Sequence, residues 1–213
     1  MSIRHNLKAI TKSIPNNVKL VVVSKKKSNT DILEAYNTGQ RIFGENKVQE
    51  LKKKQEELPS DIHWHMIGHL QTNKVKYIAP FVSLIHSLDS LKLLREIAKR
   101  AEQNNRTIDC LLQVHIATEN TKFGFGIEEI EEIIETSKKF KSINIKGLMA
   151  MATFTDDLQQ IDKEFSEINQ IFQKVKTKNL NTLSIGMSSD YKLAINNGST
   201  MIRVGSAIFG NRN

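Results

Sequence analysis

Short apolar runs alternate with helical stretches along the whole chain, and this alternation leaves few folds open. The first run, Val18 to Lys25 (VKLVVVSK), is rich in β-branched residues and has no helical spacing, which predicts a strand buried on both faces. Further strands are predicted at Arg41 to Gly44, His63 to Gly68, Val82 to His86, Ile108 to Ile116, Ile143 to Met151, Leu183 to Met187 and Met201 to Gly205. Helices fall between them. One follows a cap at Ser28 or Asn29, runs through Tyr36 and ends at Gly39. Others cover Glu45 to Leu58 before Pro59, and Thr72 to Ala79 before Pro80. Ser90 to Asn104 places Leu91, Leu94, Ile97, Ala98 and Ala101 on one stripe. Ile127, Ile130, Ile133 and Ile134 mark the next helix, followed by Leu158 to Val175 and by Asp190 to Asn196 before Gly198. A short helix over residues 4 to 13 leads the chain before Pro15.

About eight strands alternating with helices is the pattern of a parallel α/β fold. An open doubly wound sheet and a closed (β/α)8 TIM-type barrel both fit it. No glycine fingerprint follows the first strand, which favours the barrel. The 213 residues are short for that fold, so the loops should be tight and the last helix truncated. One domain over residues 1 to 213 is the expectation.

Composition excludes several classes of function. No apolar run approaches the roughly 20 residues of a membrane span, and MSIRHNLKAITKSI lacks the apolar core of a signal peptide. A lone cysteine, Cys110, makes no internal disulfide and reads as a small core residue; together these features point to the cytoplasm. The net charge of +8 is spread through segments such as LKKKQEEL, so Lys52, Lys53 and Lys54 read as a solvated helix face, and so do Lys138 and Lys139. With 6% aromatic residues and no recognisable module, nucleic acid is not an expected partner.

Barrel enzymes place their chemistry at the carboxyl ends of the strands. Here those ends carry Lys25, Gly44-Glu45-Asn46, Gly68-His69, His86-Ser87, His115 and Met149 to Met151, then the turns SIGMSSD and IRVGSAIFG. The last two combine glycine with hydroxyl residues and so offer backbone N–H groups suited to a phosphate. Lys25 alone reads most simply as a charged residue leaving the core. A strand-end lysine facing two phosphate-type turns and Arg203 suggests a Schiff base with pyridoxal phosphate.

VVVSK, FGENKVQE, WHMIGHLQTNK, KFGF, GLMAMA, SIGMSSDY and GSTMIRVGSAIFG, in this order, resemble the pyridoxal phosphate homeostasis proteins, single-domain relatives of the alanine racemase barrel domain. The resemblance implies that Lys25 forms the Schiff base with pyridoxal 5'-phosphate, a choice over Lys27 that rests on the VSK context. It implies Arg203 beside the pyridine nitrogen, Gly205, Ser206 and Ser188 around the phosphate, and Asn46 against the ring. Met187 and His69 are lesser candidates, and no metal or catalytic residue is implied. A guanidinium only donates, so it disfavours a protonated pyridine and leaves the cofactor a poor electron sink. Such a protein holds the cofactor and buffers it or delivers it to apo-enzymes. The racemase second domain is absent from the sequence, so the expectation is a monomer.

Two other readings compete. A monomeric racemase would use Lys25 and a second base such as His69 or His86. A metal-dependent hydrolase would draw on His63 and His65 with His69, His86 and His115, although His63 begins its strand and no carboxylate closes the eighth.

Overall fold

A computed structural model describes residues 2–118 and 123–210. Lys122, in the KFGF stretch, lies outside them. The strands are β1 (Lys19–Val23), β2 (Ile42–Glu45), β3 (His63–Met66), β4 (Leu84–Leu88), β5 (Ile108–Gln113), β6 (Ile143–Met149), β7 (Thr182–Ser184) and β8 (Met201–Val204). All pair in parallel in chain order, and β1 closes on β8 with Val22 opposite Val204. The fold is therefore a closed eight-stranded parallel barrel. Around it lie α1 (Ile3–Ser13), α2 (Asn29–Tyr36), α3 (Val48–Glu57), α4 (Val75–Ile78), α5 (Leu91–Gln103), α6 (Ile130–Ser137), α7 (Leu158–Val175), α8 (Tyr191–Asn196) and α9 (Ser206–Phe209). None of these helices is long and apolar enough to cross a membrane.

Strand parity divides the core in two. Leu20, Val22, Phe43, Trp64 and Leu112 face the helices, while Val21, Leu84, Leu111, Met149 and Met201 pack inside the barrel. Cys110 belongs to the outer layer, where burial pushes its thiol pKa up. Gly147 lets β6 approach β7: its φ is +156°, and a Cβ would fall 1.7 Å from the Thr182 carbonyl oxygen.

Several strands end before their apolar runs do. β5 stops at Gln113, β6 at Met149 and β7 at Ser184, although the residues that follow stay buried and still bond to the neighbouring strand, the Val114 N–H to the Met149 carbonyl at 2.8 Å and the Ala150 N–H to the Ser184 carbonyl at 3.2 Å. β4 starts two residues late, since the Val82 N–H closes a turn on the Ile78 carbonyl at 2.8 Å. The helix expected from Glu45 begins only at Val48, because Glu45 continues β2 and is fully buried. Ser28 caps α2 reciprocally with Asp31, so the segment after β1 is fixed at both ends.

Candidate functional site

A cavity of 380 Å³ opens at the carboxyl ends of β1, β2, β7 and β8. Lys25, Asn46, Met187, Ser188, Arg203, Gly205 and Ser206 all line it, with Lys27, Ile67, Met151 and Phe154. A larger groove of 740 Å³ between α6 and α7 holds none of the strand-end residues.

Lys25 lies on a turn just past β1 in which Lys26 takes a left-handed φ of 62°, uncommon for a non-glycine residue. A buried charge network holds that turn. Lys54 Nζ donates to the Ser24 carbonyl at 2.8 Å, to Glu45 Oε1 at 2.8 Å and to Glu50 Oε1 at 2.7 Å. Ser24 Oγ donates to Glu45 Oε1, and the Lys26 N–H donates to Glu50 Oε1, each at 2.5 Å. Burial raises the Glu45 pKa, and Lys54 opposes the shift. The expectation that Lys54 is solvated is therefore corrected: it is 5% exposed, since α3 turns it onto the buried Glu45 carboxylate. Asn46 follows on β2. Its Oδ1 is buried without a hydrogen-bond partner, an acceptor left for a ligand. Gly68 packs so closely that a Cβ there would meet the Asn46 carbonyl oxygen at 2.4 Å.

The opposite flank is built from backbone donors. The N–H groups of Gly205 and Ala207 converge on Ser188 Oγ at 3.1 and 3.4 Å. Two N–H donors aimed at one oxygen suit an anionic acceptor, and the close approach of Gly205 to Val23 leaves no room for a side chain to cover the amide. Arg203 is 4% exposed. Its Nη1 donates to the carbonyl and the hydroxyl of Ser184, both at 2.7 Å, and Nη2 donates to the Ala150 carbonyl at 3.0 Å. Burial lowers its pKa to about 10, with Asp190 opposing the shift, so it stays protonated at neutral pH and can only donate.

Three comparisons bear on this arrangement. The alanine racemase N-terminal domain family model matches residues 1–213. A pyridoxal phosphate homeostasis protein of Helicobacter pylori is 45% identical over 90% of this chain and 87% of its own. One from Aquifex aeolicus is 39% identical over 92% and 88%. The chain belongs to the pyridoxal phosphate homeostasis family. PipY of Synechococcus elongatus, a solved structure without PLP, superposes with a TM-score of 0.92 at 33% identity, covering 98% of this chain and all of that one. PipY with PLP bound gives 0.89 at 32%. Alanine racemase of Bartonella henselae shares the fold alone, at 15% identity and a TM-score of 0.78, with 58% of its chain covered.

An orphaned Asn46 acceptor, an amide pair aimed at an oxygen, a donating guanidinium and a lysine around one cavity fit the ring and phosphate of pyridoxal phosphate. His69 stands apart. Its Nδ1 pairs with Asp89 Oδ2 at 2.9 Å and its ring stacks on Phe123 at 3.8 Å, so it lines a neighbouring groove with Asn46, Lys47 and Gln71. His86 lies buried between His65 and Ser184. Among the described residues, no group of three or more His, Cys, Asp or Glu side chains could hold a metal ion. Sequence reasoning missed the Ser24, Glu45, Glu50 and Lys54 network, for which the only signal was the i,i+4 spacing of Glu50 and Lys54.

Proposed function

We propose that the protein binds pyridoxal 5'-phosphate in this cavity, covalently through Lys25, and acts in vitamin B6 homeostasis by buffering the cofactor or delivering it to apo-enzymes. The observation that carries this reading is the convergence of Lys25, Arg203 and the Gly205 and Ala207 amides on one cavity. Bound there, the cofactor's aldehyde supplies reversible condensation with a primary amine, water leaving on capture and one amine exchanging for another on delivery. Lys25 offers the amine. Ser188 and the amides of Gly205 and Ala207 hold the phosphate, Asn46 Oδ1 accepts from the ring, and Met187 and Ser206 shape the wall. Arg203 faces the pyridine nitrogen as a donor, which keeps that nitrogen unprotonated. The reading has the protein acting as a cytoplasmic monomer.

A racemase would need a second base across from Lys25. Among the described residues lining the cavity, the other titratable side chains are Lys27 and Arg203. Lys27 Nζ turns to the Phe209 carbonyl at 3.4 Å, and Arg203 is committed to Ser184 and Ala150. This favours a carrier over a turnover enzyme.

The test is a visible spectrum of the cofactor-loaded protein before and after borohydride. The expected result is a band that reduction bleaches, leaving a pyridoxyl mass on the Lys25 peptide, and complete loss of that adduct in Lys25→Ala. Failure to take up the cofactor would sink the reading. Exchange of the alanine α-proton in deuterated water at enzymatic rates would replace the carrier with an enzyme.

A further inference from the structure

The barrel axis is polar from Arg203 towards the opposite mouth. Arg203 Nη1 donates to Ser184 Oγ at 2.7 Å, Ser184 Oγ lies 3.1 Å from His86 Nδ1, and His86 Nε2 lies 2.9 Å from His65 Nδ1. The guanidinium fixes the direction of this chain. Because it only donates, Ser184 Oγ accepts from it and turns its own hydrogen to His86 Nδ1. His86 then carries its proton on Nε2 and gives it to His65 Nδ1. The proton of His65 is thereby placed on Nε2.

That N–H has no hydrogen-bond partner among the described residues, although His65 is only 5% exposed. The ring lines a cavity of 480 Å³ at the amino ends of the strands, opposite the Lys25 mouth. With Nδ1 turned to His86, Nε2 is the edge left to that cavity. Lys19 and Lys146 bring cationic side chains to it, and burial first, with His63 and Lys19 beside the ring, lowers the His65 pKa to about 3, so the ring is neutral. Thr182 adds a hydroxyl. The carboxylate of Asp109 is already engaged by Asn144 at 3.0 Å and Lys146 at 3.9 Å, which leaves the cavity rich in donors.

We propose that the amino-terminal mouth is a second binding site, for a small oxyanion received on His65 Nε2–H and neutralised by Lys19. The proposal goes beyond the cofactor reading and stands independently of it. The donor is oriented from the far side of the barrel through Ser184 and His86.

The test follows histidine side-chain and backbone amide resonances during titration with inorganic phosphate. The two mouths report separately. The expected result is a saturable shift of the His65 and His63 imidazole signals that persists in Ser188→Ala and weakens about tenfold in Lys19→Ala, as for loss of one charged hydrogen-bond partner. Ser184→Ala removes the hydroxyl that fixes His86 Nδ1 as an acceptor, so the tautomers of His86 and His65 are no longer set, the His65 nitrogen shifts move towards the average of the two forms and phosphate binding weakens. Should that variant not fold, Lys19→Ala on the exposed rim decides alone. Shifts confined to the Gly205 and Ser206 amides would mean that phosphate binds only at the cofactor mouth, and would overturn the proposal. An unmoved His65 signal at saturating phosphate would overturn it as well. Silence of the Gly205 and Ser206 amides would count against the cofactor reading and leave this one intact.

Discussion

On the β1–β2 flank of the cavity, the turn that carries Lys25 is held by the buried side chains of Glu45 and Lys54, with Glu50 and Ser24 completing the network. On the β7–β8 flank, the ligand-facing donors are backbone N–H groups converging on one hydroxyl, and the charged group, Arg203, rests on Ser184 and the neutral histidines behind it. In the proposed function the first flank places a long, flexible amine at one point, and paired charges that fix the backbone suit that task. The second flank is proposed to cradle an anion, and amides fixed by the strand-to-turn geometry need no further ordering. The two flanks should therefore fail in different ways.

The largest effect is expected at Lys54. Lys54→Ala leaves the fully buried Glu45 without its cation, and loss of one partner of a buried pair costs about 3–5 kcal/mol. Denaturant unfolding at neutral pH checks this. Replacing Lys54 by Met and Glu45 by Leu together should recover most of the loss, since a packed apolar pair avoids the desolvation of both charges. Yet formation of the Lys25 adduct should stay slow in the double variant, because Ser24 has lost both its contacts and Glu50, which receives the Lys26 N–H, has lost the cation that fixed it. A double variant that captures cofactor at the wild-type rate would make the network a matter of stability alone.

Acid should separate the flanks. The His65 pKa falls from its ordinary value of 6.5 to about 3, and that of His86 lies well below its ordinary value, both chiefly through burial. The unfolded chain thus binds protons that the folded barrel refuses, so the stability held in these residues is complete above about pH 6.5 and declines as pH falls towards 3. At pH 5 His65 costs about 2 kcal/mol relative to pH 7, and His86 adds to it in the same direction. Glu45 works in the opposite sense: its raised pKa means that the folded state keeps a proton the unfolded state has lost, so its contribution is complete below its ordinary value of 4.5 and weakens as pH rises above it. Unfolding at pH 5 and 7, with His65→Asn as the variant, should show a shallower pH slope once the buried imidazole is gone. Site-resolved hydrogen exchange at pH 5 should find β3 and β4, which carry the two histidines, and β7, where Ser184 meets His86, opening before β1 and β2.

The barrel could be read from the chain because hydrophobic periodicity and turn residues act locally, and the strand ends could be read because parity carries an inward face past the last ladder bond. Lys25, Asn46, Arg203 and Gly205 each follow a barrel-facing position on their strands, so they reach one cavity. His69 comes one residue after the glycine that ends its run, and there Asp89 draws the ring away. Lys54 was illegible for another reason. The spacing of Glu50 and Lys54 is the same on a solvated helix as on a buried one, and only the rotation of α3 against β2 decides which it is. The His65 and His86 contact depends likewise on the β3–β4 register, which pairs His65 with Leu84.

The smallest effect should fall on Ser188. The Ser188→Ala variant removes the oxygen that now receives the Gly205 and Ala207 N–H groups, at a half-buried site where water can take its place, so stability should change by less than about 1 kcal/mol. Cofactor affinity should weaken about tenfold, as for loss of one hydrogen bond to a charged oxygen, and the covalent adduct at Lys25 should still form in full at saturating cofactor. Equilibrium titration by absorbance separates the two quantities. The contrast with Lys54 is then one of kind: one substitution destabilises the barrel and slows capture, while the other leaves both intact and weakens retention. If Ser188→Ala instead abolished the adduct, the amide flank would be placing the aldehyde before Lys25 as well as holding the phosphate, and the division of labour between the flanks would have to be redrawn.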